Sequence, residues 1–168
     1  MFKQEFNFFP RLDFILPEIK KINLYNVNDH NKKTNLKATW PGARSLALHE
    51  TNVCLFEYIN YLLVTKKFIS PGSYEIKSYI HLRLKVDDNK DWIHKDSHDL
   101  SALIYLSNTN YNSGTYFYDD NENIVNDIKF VKNSCILFPG NFNHKGYGHH
   151  GENLENGRLT LNLFIDKK

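Results

Sequence analysis

Cysteine is scarce in this chain of 168 residues, and its two cysteines, Cys54 and Cys135, lie far apart with no Cys-x-x-Cys spacing. Neither a disulfide framework nor a thiolate zinc site has support, and a reducing cytoplasm is the expected compartment. Charge of one sign is also missing, because 21 basic residues face 19 acidic ones. So small a net charge gives no field to gather nucleic acid or an anionic membrane surface. No apolar run approaches the roughly 20 residues that a bilayer crossing needs, and the start, MFKQEFNFFPRLDF, lacks the unbroken apolar stretch of a signal peptide. The expectation is a chain that neither spans a membrane nor is secreted. Only four arginines occur against 17 lysines, so the place of each one matters, and the 21 asparagines read as a bias of an AT-rich genome.

Linkers rich in Pro, Gly and Ser, repeats and low-complexity tracts are absent as well. One domain over residues 1–168 is therefore expected. A hydrophobic fraction of 41% excludes disorder for most of it.

What is present divides into two parts, a helical or irregular support over residues 1–72 and a β-rich part over 73–168. In residues 50–65, Val53, Phe56, Ile59, Leu62 and Leu63 recur at helical spacing, with Glu50 and Thr51 as start signals and Pro71-Gly72 as the stop. A second, shorter helix is expected over 16–22, beginning near Pro17 and Glu18. From Tyr74 the period changes to two. Ile76, Ser78, Ile80, Leu82 and Leu84 alternate with Lys77, Tyr79, His81 and Arg83, which predicts a strand with one apolar and one polar face over 74–86. Short apolar runs follow at 101–107, 115–118, 127–131, 134–138 and 158–165, separated by Gly, Asn and Asp clusters. That pattern points to an antiparallel sandwich, jelly roll or barrel.

Chemistry concentrates at a few positions. In Trp92-Ile93-His94-Lys95-Asp96 a His and an Asp stand two residues apart, so on extended chain both side chains leave one face. One metal ion can be gripped by both. A third ligand must come from elsewhere, and Phe138-Pro139-Gly140-Asn141-Phe142-Asn143-His144 ends an apolar strand with a histidine at a loop. Two His and one carboxylate form the facial triad of non-haem Fe(II) oxygenases. On the late strand, Arg158 and Thr160 share a face, and a planar guanidinium beside a hydroxyl suits a carboxylate. Other readings stay open. His149 and His150 rival His144 from a Gly- and Asn-rich loop, and His98 would pair with His94 as in zinc peptidases if the segment were helical, although no Glu follows His94. Residues 40–45, WPGARS, form either a structural turn or a lid that meets substrate.

His94-Lys95-Asp96, Ala102-Leu103-Ile104-Tyr105-Leu106-Ser107, Ser113-Gly114-Thr115-Tyr116-Phe117, Ile136-Leu137-Phe138-Pro139 with His144, and Arg158-Leu159-Thr160 together resemble the ordered motifs of the 2-oxoglutarate/Fe(II)-dependent oxygenases, over residues 79–165. The detail of these motifs looks closest to small prolyl-hydroxylase-like members, including bacterial and phage-encoded ones. The resemblance implies a mainly β fold with N-terminal helices, a double-stranded β-helix (jelly roll, cupin-like) whose helices pack on the larger sheet. It implies His94, Asp96 and His144 as iron ligands, Arg158 with Thr160 at the distal carboxylate of 2-oxoglutarate, and Tyr79 and Tyr105 as further contacts to the cosubstrate or as plain core residues. The implied activity is hydroxylation of a small-molecule or protein substrate with Fe(II), 2-oxoglutarate and dioxygen, ascorbate serving as reductant, and with release of succinate and carbon dioxide. Halogenating relatives replace the carboxylate that Asp96 supplies, so its presence favours hydroxylation or a related oxidation. A phage-encoded member would work in the host cytoplasm. Two other classes remain: a metal-binding cupin-like protein without catalysis, and an interaction module using the β-sandwich as scaffold.

Overall fold

The computed structural model describes residues 2–88 and 90–168. In chain order its elements are β1 (Lys3–Glu5), α1 (Leu12–Ile19), β2 (Tyr25–Asn26), α2 (Val27–Thr34), β3 (Ala43–Arg44), α3 (Leu48–Thr51), α4 (Val53–Thr65), β4 (Tyr74–Arg83), a single 3-10 turn (Lys85–Asp87), β5 (Leu100–Tyr105), β6 (Asn110–Tyr118), β7 (Ile124–Phe130), β8 (Cys135–Pro139), β9 (Asn143–Gly148) and β10 (Arg158–Lys167). Seven strands form one antiparallel sheet in the order β1-β8-β5-β10-β4-β3-β2, and three form a second in the order β7-β6-β9.

Period-two alternation decides which face of the large sheet each side chain serves. Leu159, Leu161, Leu163 and Ile165 of β10, with Ile80 of β4, Ala102 and Ile104 of β5 and Leu137 of β8, are buried against Leu12 and Ile19 of α1 and Ile59, Leu62 and Leu63 of α4. Each fully buried Leu or Ile there contributes about 1.5–3 kcal/mol of transfer free energy, which holds the helices on this face. The opposite face turns to the small sheet. Leu103, Tyr105, Ile136 and Phe138 pack there on Phe117, Ile128 and Phe130. The even-numbered residues of β10, Arg158 to Phe164, are left facing between the sheets together with Tyr79, His81 and Arg83 of β4.

The helices differ from expectation in detail. Asn52 splits the expected 50–65 helix into α3 and α4, and its side chain accepts the Leu55 N–H at 3.2 Å as an N-cap. Helix α1 starts before Pro17 rather than at it. Leu12 and Ile19 bury one face of α1, and that packing outweighs the one backbone hydrogen bond that Pro17 cannot donate. Strand β4 ends at Arg83, and residues 85–87 turn away as the 3-10 element. Helix α2, mostly polar, and the two-residue strands β2 and β3 have no hydrophobic period to reveal them.

Candidate metal and cosubstrate site

The His-x-Asp segment carries no helix and lies as extended chain against β9 and the turn before it. His94 and His144 form an antiparallel bridge, with His94 N–H donating to His144 O at 3.0 Å and His144 N–H donating to His94 O at 2.9 Å. Asp96 N–H donates to Gly140 O at 2.8 Å. Gly140 is needed for this approach, since a Cβ there would stand 2.1 Å from the His98 carbonyl oxygen.

These backbone bonds bring three side chains together. One ligand atom each from His94, Asp96 and His144 lies within 4.8 Å of the others. His94 Nδ1–H donates to Trp92 O at 2.9 Å and His144 Nδ1–H to Phe142 O at 2.9 Å, so neither Nδ1 is available and each ring presents its Nε2 as the ligand atom. Asp96 Oδ2 accepts from Ser101 Oγ at 2.6 Å and lies 3.7 Å from His144 Nε2. Burial, then the neighbouring His94, hold the His144 imidazole below its ordinary titration range, in the neutral form a metal requires. Two imidazole nitrogens and one carboxylate oxygen, all on one side, fit a divalent first-row ion with coordination positions to spare.

The rival histidines stand elsewhere. His98 pairs with Asp166 at 2.7 Å, which leaves the peptidase arrangement without geometry. His149 is exposed beside Asp88, and His150, expected in a loop, is buried with its Nε2 unpartnered among the described residues. His144 itself lies on a strand rather than on a loop.

The triad opens on a cavity of about 480 Å³ between the sheets. At its inner end Arg158 is buried, donating from Nη2 to Thr115 Oγ1 at 3.2 Å and Gly114 O at 3.4 Å. Tyr105 OH meets the same Thr115 hydroxyl at 2.7 Å, and its ring lies 5.5 Å under the guanidinium. Tyr105 therefore positions Arg158 through Thr115 and is itself fully buried. Arg158 stands directly opposite Arg83 across β10 and β4. Asp91 relieves that repulsion by pairing with Arg83 Nη1 at 2.6 Å. Two guanidiniums and one carboxylate leave one positive charge unmatched, and no carboxylate pairs with Arg158 among the described residues. Burial lowers its pKa, with Arg83 adding to the shift and Tyr105 opposing it. Gly146 makes room, because a Cβ there would stand 2.8 Å from Arg83 Nη1 and 3.5 Å from Arg158 Cζ.

Thr160 shares the inward face with Arg158, but its hydroxyl donates to Asn162 Oδ1 at 2.8 Å. Tyr79 faces Asn162 on the neighbouring strand, four residue pairs farther along than Arg158, and lines the outer cavity with Trp40 and Arg44. Residues 40–45 form a structural turn that also borders the cavity. Ala43 and Arg44 pair with β4, and Trp40, Pro41 and Arg44 wall the cavity. Asp91, Ser101 and Thr115 escaped sequence reasoning because the partner each acts through is set by the fold and not by any motif spacing.

No protein-family model matches this sequence and no curated protein is similar to it. Solved structures are. HygX of Streptomyces hygroscopicus, solved with nickel, 2-oxoglutarate and hygromycin B, superposes with a TM-score of 0.69 at 10% identity, over 99% of this chain and 83% of that one. A prolyl-4-hydroxylase of Pseudomonas putida gives a TM-score of 0.60 at 12% identity, over 99% and 92%. An oxidoreductase of the 2OG-Fe(II) oxygenase family from Burkholderia pseudomallei gives 0.63 at 15% identity, over 98% and 84%. This chain shares the fold of these solved structures. Identities this low establish the architecture alone, and the chemistry has to be argued from the residues themselves. No helix among the described residues is long and apolar enough to cross a membrane.

Proposed function

We propose that the chain is an Fe(II)- and 2-oxoglutarate-dependent dioxygenase that hydroxylates a small-molecule or protein substrate and releases succinate and carbon dioxide. The single observation carrying this reading is that the His94, Asp96, His144 cluster and the unpaired Arg158 share one cavity between the sheets. We read the two sheets as a double-stranded β-helix and residues 1–168 as one domain, supported by the core that α1 and α4 share with the large sheet. A reducing cytoplasm fits the two free cysteines.

In this reading His94 Nε2, His144 Nε2 and an Asp96 oxygen hold the metal, and Ser101 orients Asp96. Arg158 takes the distal carboxylate of 2-oxoglutarate, with Thr115 and Tyr105 fixing the guanidinium plane. Thr160, two residue pairs from Arg158 in the direction of Tyr79, contacts the cosubstrate through its hydroxyl oxygen, whose hydrogen is committed to Asn162. Tyr79 belongs to the outer wall, nearer substrate than cosubstrate. When bound, Fe(II) and 2-oxoglutarate supply the oxidising chemistry, in which dioxygen is the oxidant, the keto acid loses carbon dioxide, and one oxygen atom enters the substrate. The protein's part is to hold the three ligands on one side, neutralise the cosubstrate's far carboxylate and exclude bulk water with Phe138, Phe117 and Leu103.

Arg158 sets this reading apart from a cupin-like metal binder or a scaffold, neither of which needs a buried, unpaired guanidinium near the metal ligands. The test is succinate formation from 2-oxoglutarate in the presence of Fe(II) and ascorbate, compared between the native chain and Asp96→Ala. Fe(II)-dependent succinate that disappears in the variant supports the proposal. Metal binding with no 2-oxoglutarate binding would favour the cupin-like alternative.

A further inference from the structure

The outer half of the cavity holds a second guanidinium that the cosubstrate site does not use. Arg44 of β3 lines the cavity, and its Cζ lies 4.2 Å from the Trp40 ring, 5.4 Å from Tyr79 and 6.0 Å from Phe164. It makes no ion pair and no side-chain hydrogen bond among the described residues. Its Nε is buried without a partner, and so is the Trp40 indole Nε1 beside it. The terminal nitrogens have no hydrogen-bond partner among the described residues either.

Local backbone geometry holds Arg44 there. Gly42 has φ +88° and comes so close to β4 that a Cβ would stand 2.2 Å from Leu82 O. Arg44 pairs with His81 in the β3–β4 register, and His81 Nε2–H donates to Pro41 O at 2.7 Å. The loop is thereby fastened to β4 at Pro41 and again at Ala43 and Arg44. The cost of leaving the cation unmatched is visible: burial pulls Arg44 down to about 10, with Tyr79 and Asp96 offsetting part of it. Asp96 is engaged by Ser101 and faces His144, so a metal ion in the triad would take its charge and leave Arg44 with no anion at all. A desolvated guanidinium set among aromatic rings, open on one side, is a receptor for a carboxylate carried on a flat apolar body.

We propose that Arg44, with Trp40, Tyr79 and Phe164 around it, is the anchoring site for the substrate's carboxylate, so that the substrate is a small carboxylate-bearing molecule presented to the metal from the outer cavity. The proposal deepens the oxygenase reading and rests on it for the statement that the anion is the substrate. The binding site itself stands on the geometry of Arg44 alone.

Benzoate and its neutral isostere benzamide are suitable probes, titrated calorimetrically into the full chain, first metal-free and then loaded with Zn(II) and saturating 2-oxoglutarate. Benzoate should bind at least about tenfold more tightly than benzamide, and Arg44→Gln should remove that preference while Arg44→Lys keeps part of it. Circular dichroism on each variant, with the lysine variant as the milder change, separates loss of the site from loss of the fold. Benzoate affinity should survive saturation with 2-oxoglutarate. Equal binding of benzoate and benzamide, an undiminished preference in Arg44→Gln, or displacement of benzoate by 2-oxoglutarate would each overturn the proposal. Absence of 2-oxoglutarate binding to the metal-loaded chain, with benzoate still bound at Arg44, would instead overturn the oxygenase reading.

Discussion

His94 and His144 are joined through their backbones before any metal is considered, each donating its N–H to the other's carbonyl. A residue pair that exchanges both hydrogen bonds sends its side chains to the same face, and here the two imidazole centroids lie 4.3 Å apart. The metal ligands are thus set by strand pairing rather than by side-chain chance. His144→Ala should abolish tight Fe(II) binding, whereas His149→Ala and His150→Ala should keep it. Metal titrations on the three variants, each checked by circular dichroism, decide this, and retention of tight binding by His144→Ala would reject the triad.

Ser101 acts on the metal only through Asp96. Removing its hydroxyl in Ser101→Ala should weaken metal affinity by about 10–100-fold, the usual effect of losing a group that orients a ligand. Thermal denaturation of the metal-free chain should hardly change. Unaltered metal affinity would mean that Asp96 needs no such support.

Arg158 gives the sharpest energetic expectation. Arg158→Ala should weaken 2-oxoglutarate binding by about 2–5 kcal/mol while leaving metal affinity nearly unchanged, as for truncation of one side of a buried charge pair. Arg158→Lys should recover part, since the charge survives without the planar fork. Thr115→Val, which removes the oxygen that Arg158 and Tyr105 share, should fall between them.

Much of this architecture was legible because alternation and burial agree. The residues of β4 and β10 that the period-two pattern turned toward helices pack there, and of those it turned inward Tyr79, His81, Arg83, Arg158, Asn162 and Phe164 line the cavity, while Thr160 is fully buried. His94, Asp96 and His144 were readable for a different reason, since two of them sit on one extended tripeptide and the third closely follows an apolar strand. Helix α2 was not readable, because its only buried residue is His30. Strand β9 escaped notice because Gly146 and Gly148 suggest a loop, whereas Gly146 is there to admit two guanidiniums. Asp91 carries no local signal, and Arg44 was legible only as a member of the 40–45 loop. What only the fold brings near is Gly146 beside Asp91, and Tyr79 and Phe164 beside Arg44.

Stability should depend on pH through two buried histidines. Burial, with Arg158 and Arg83 adding to it, pushes His150 down to about 3, and burial, then Arg44, pushes His81 well below its ordinary range. Unfolded, both would titrate near 6.5. Below that pH the unfolded chain takes up protons that the folded chain refuses, so their contribution is full above about 6.5 and is lost as the pH falls toward 3. The urea midpoint should therefore drop between about pH 7 and 5, and His150→Gln should flatten the drop. An equal slope in that variant would show that His150 is not one of the groups responsible.

The most direct test of the whole account is titration of 2-oxoglutarate into the chain under anaerobic conditions, with and without Fe(II). The expected result is saturable binding of one 2-oxoglutarate per chain that requires the metal, is lost in Asp96→Ala and is strongly weakened in Arg158→Ala. Binding that ignores the metal, or no binding to a folded, Fe(II)-loaded chain, would contradict the assignment of this cavity as a 2-oxoglutarate and iron site.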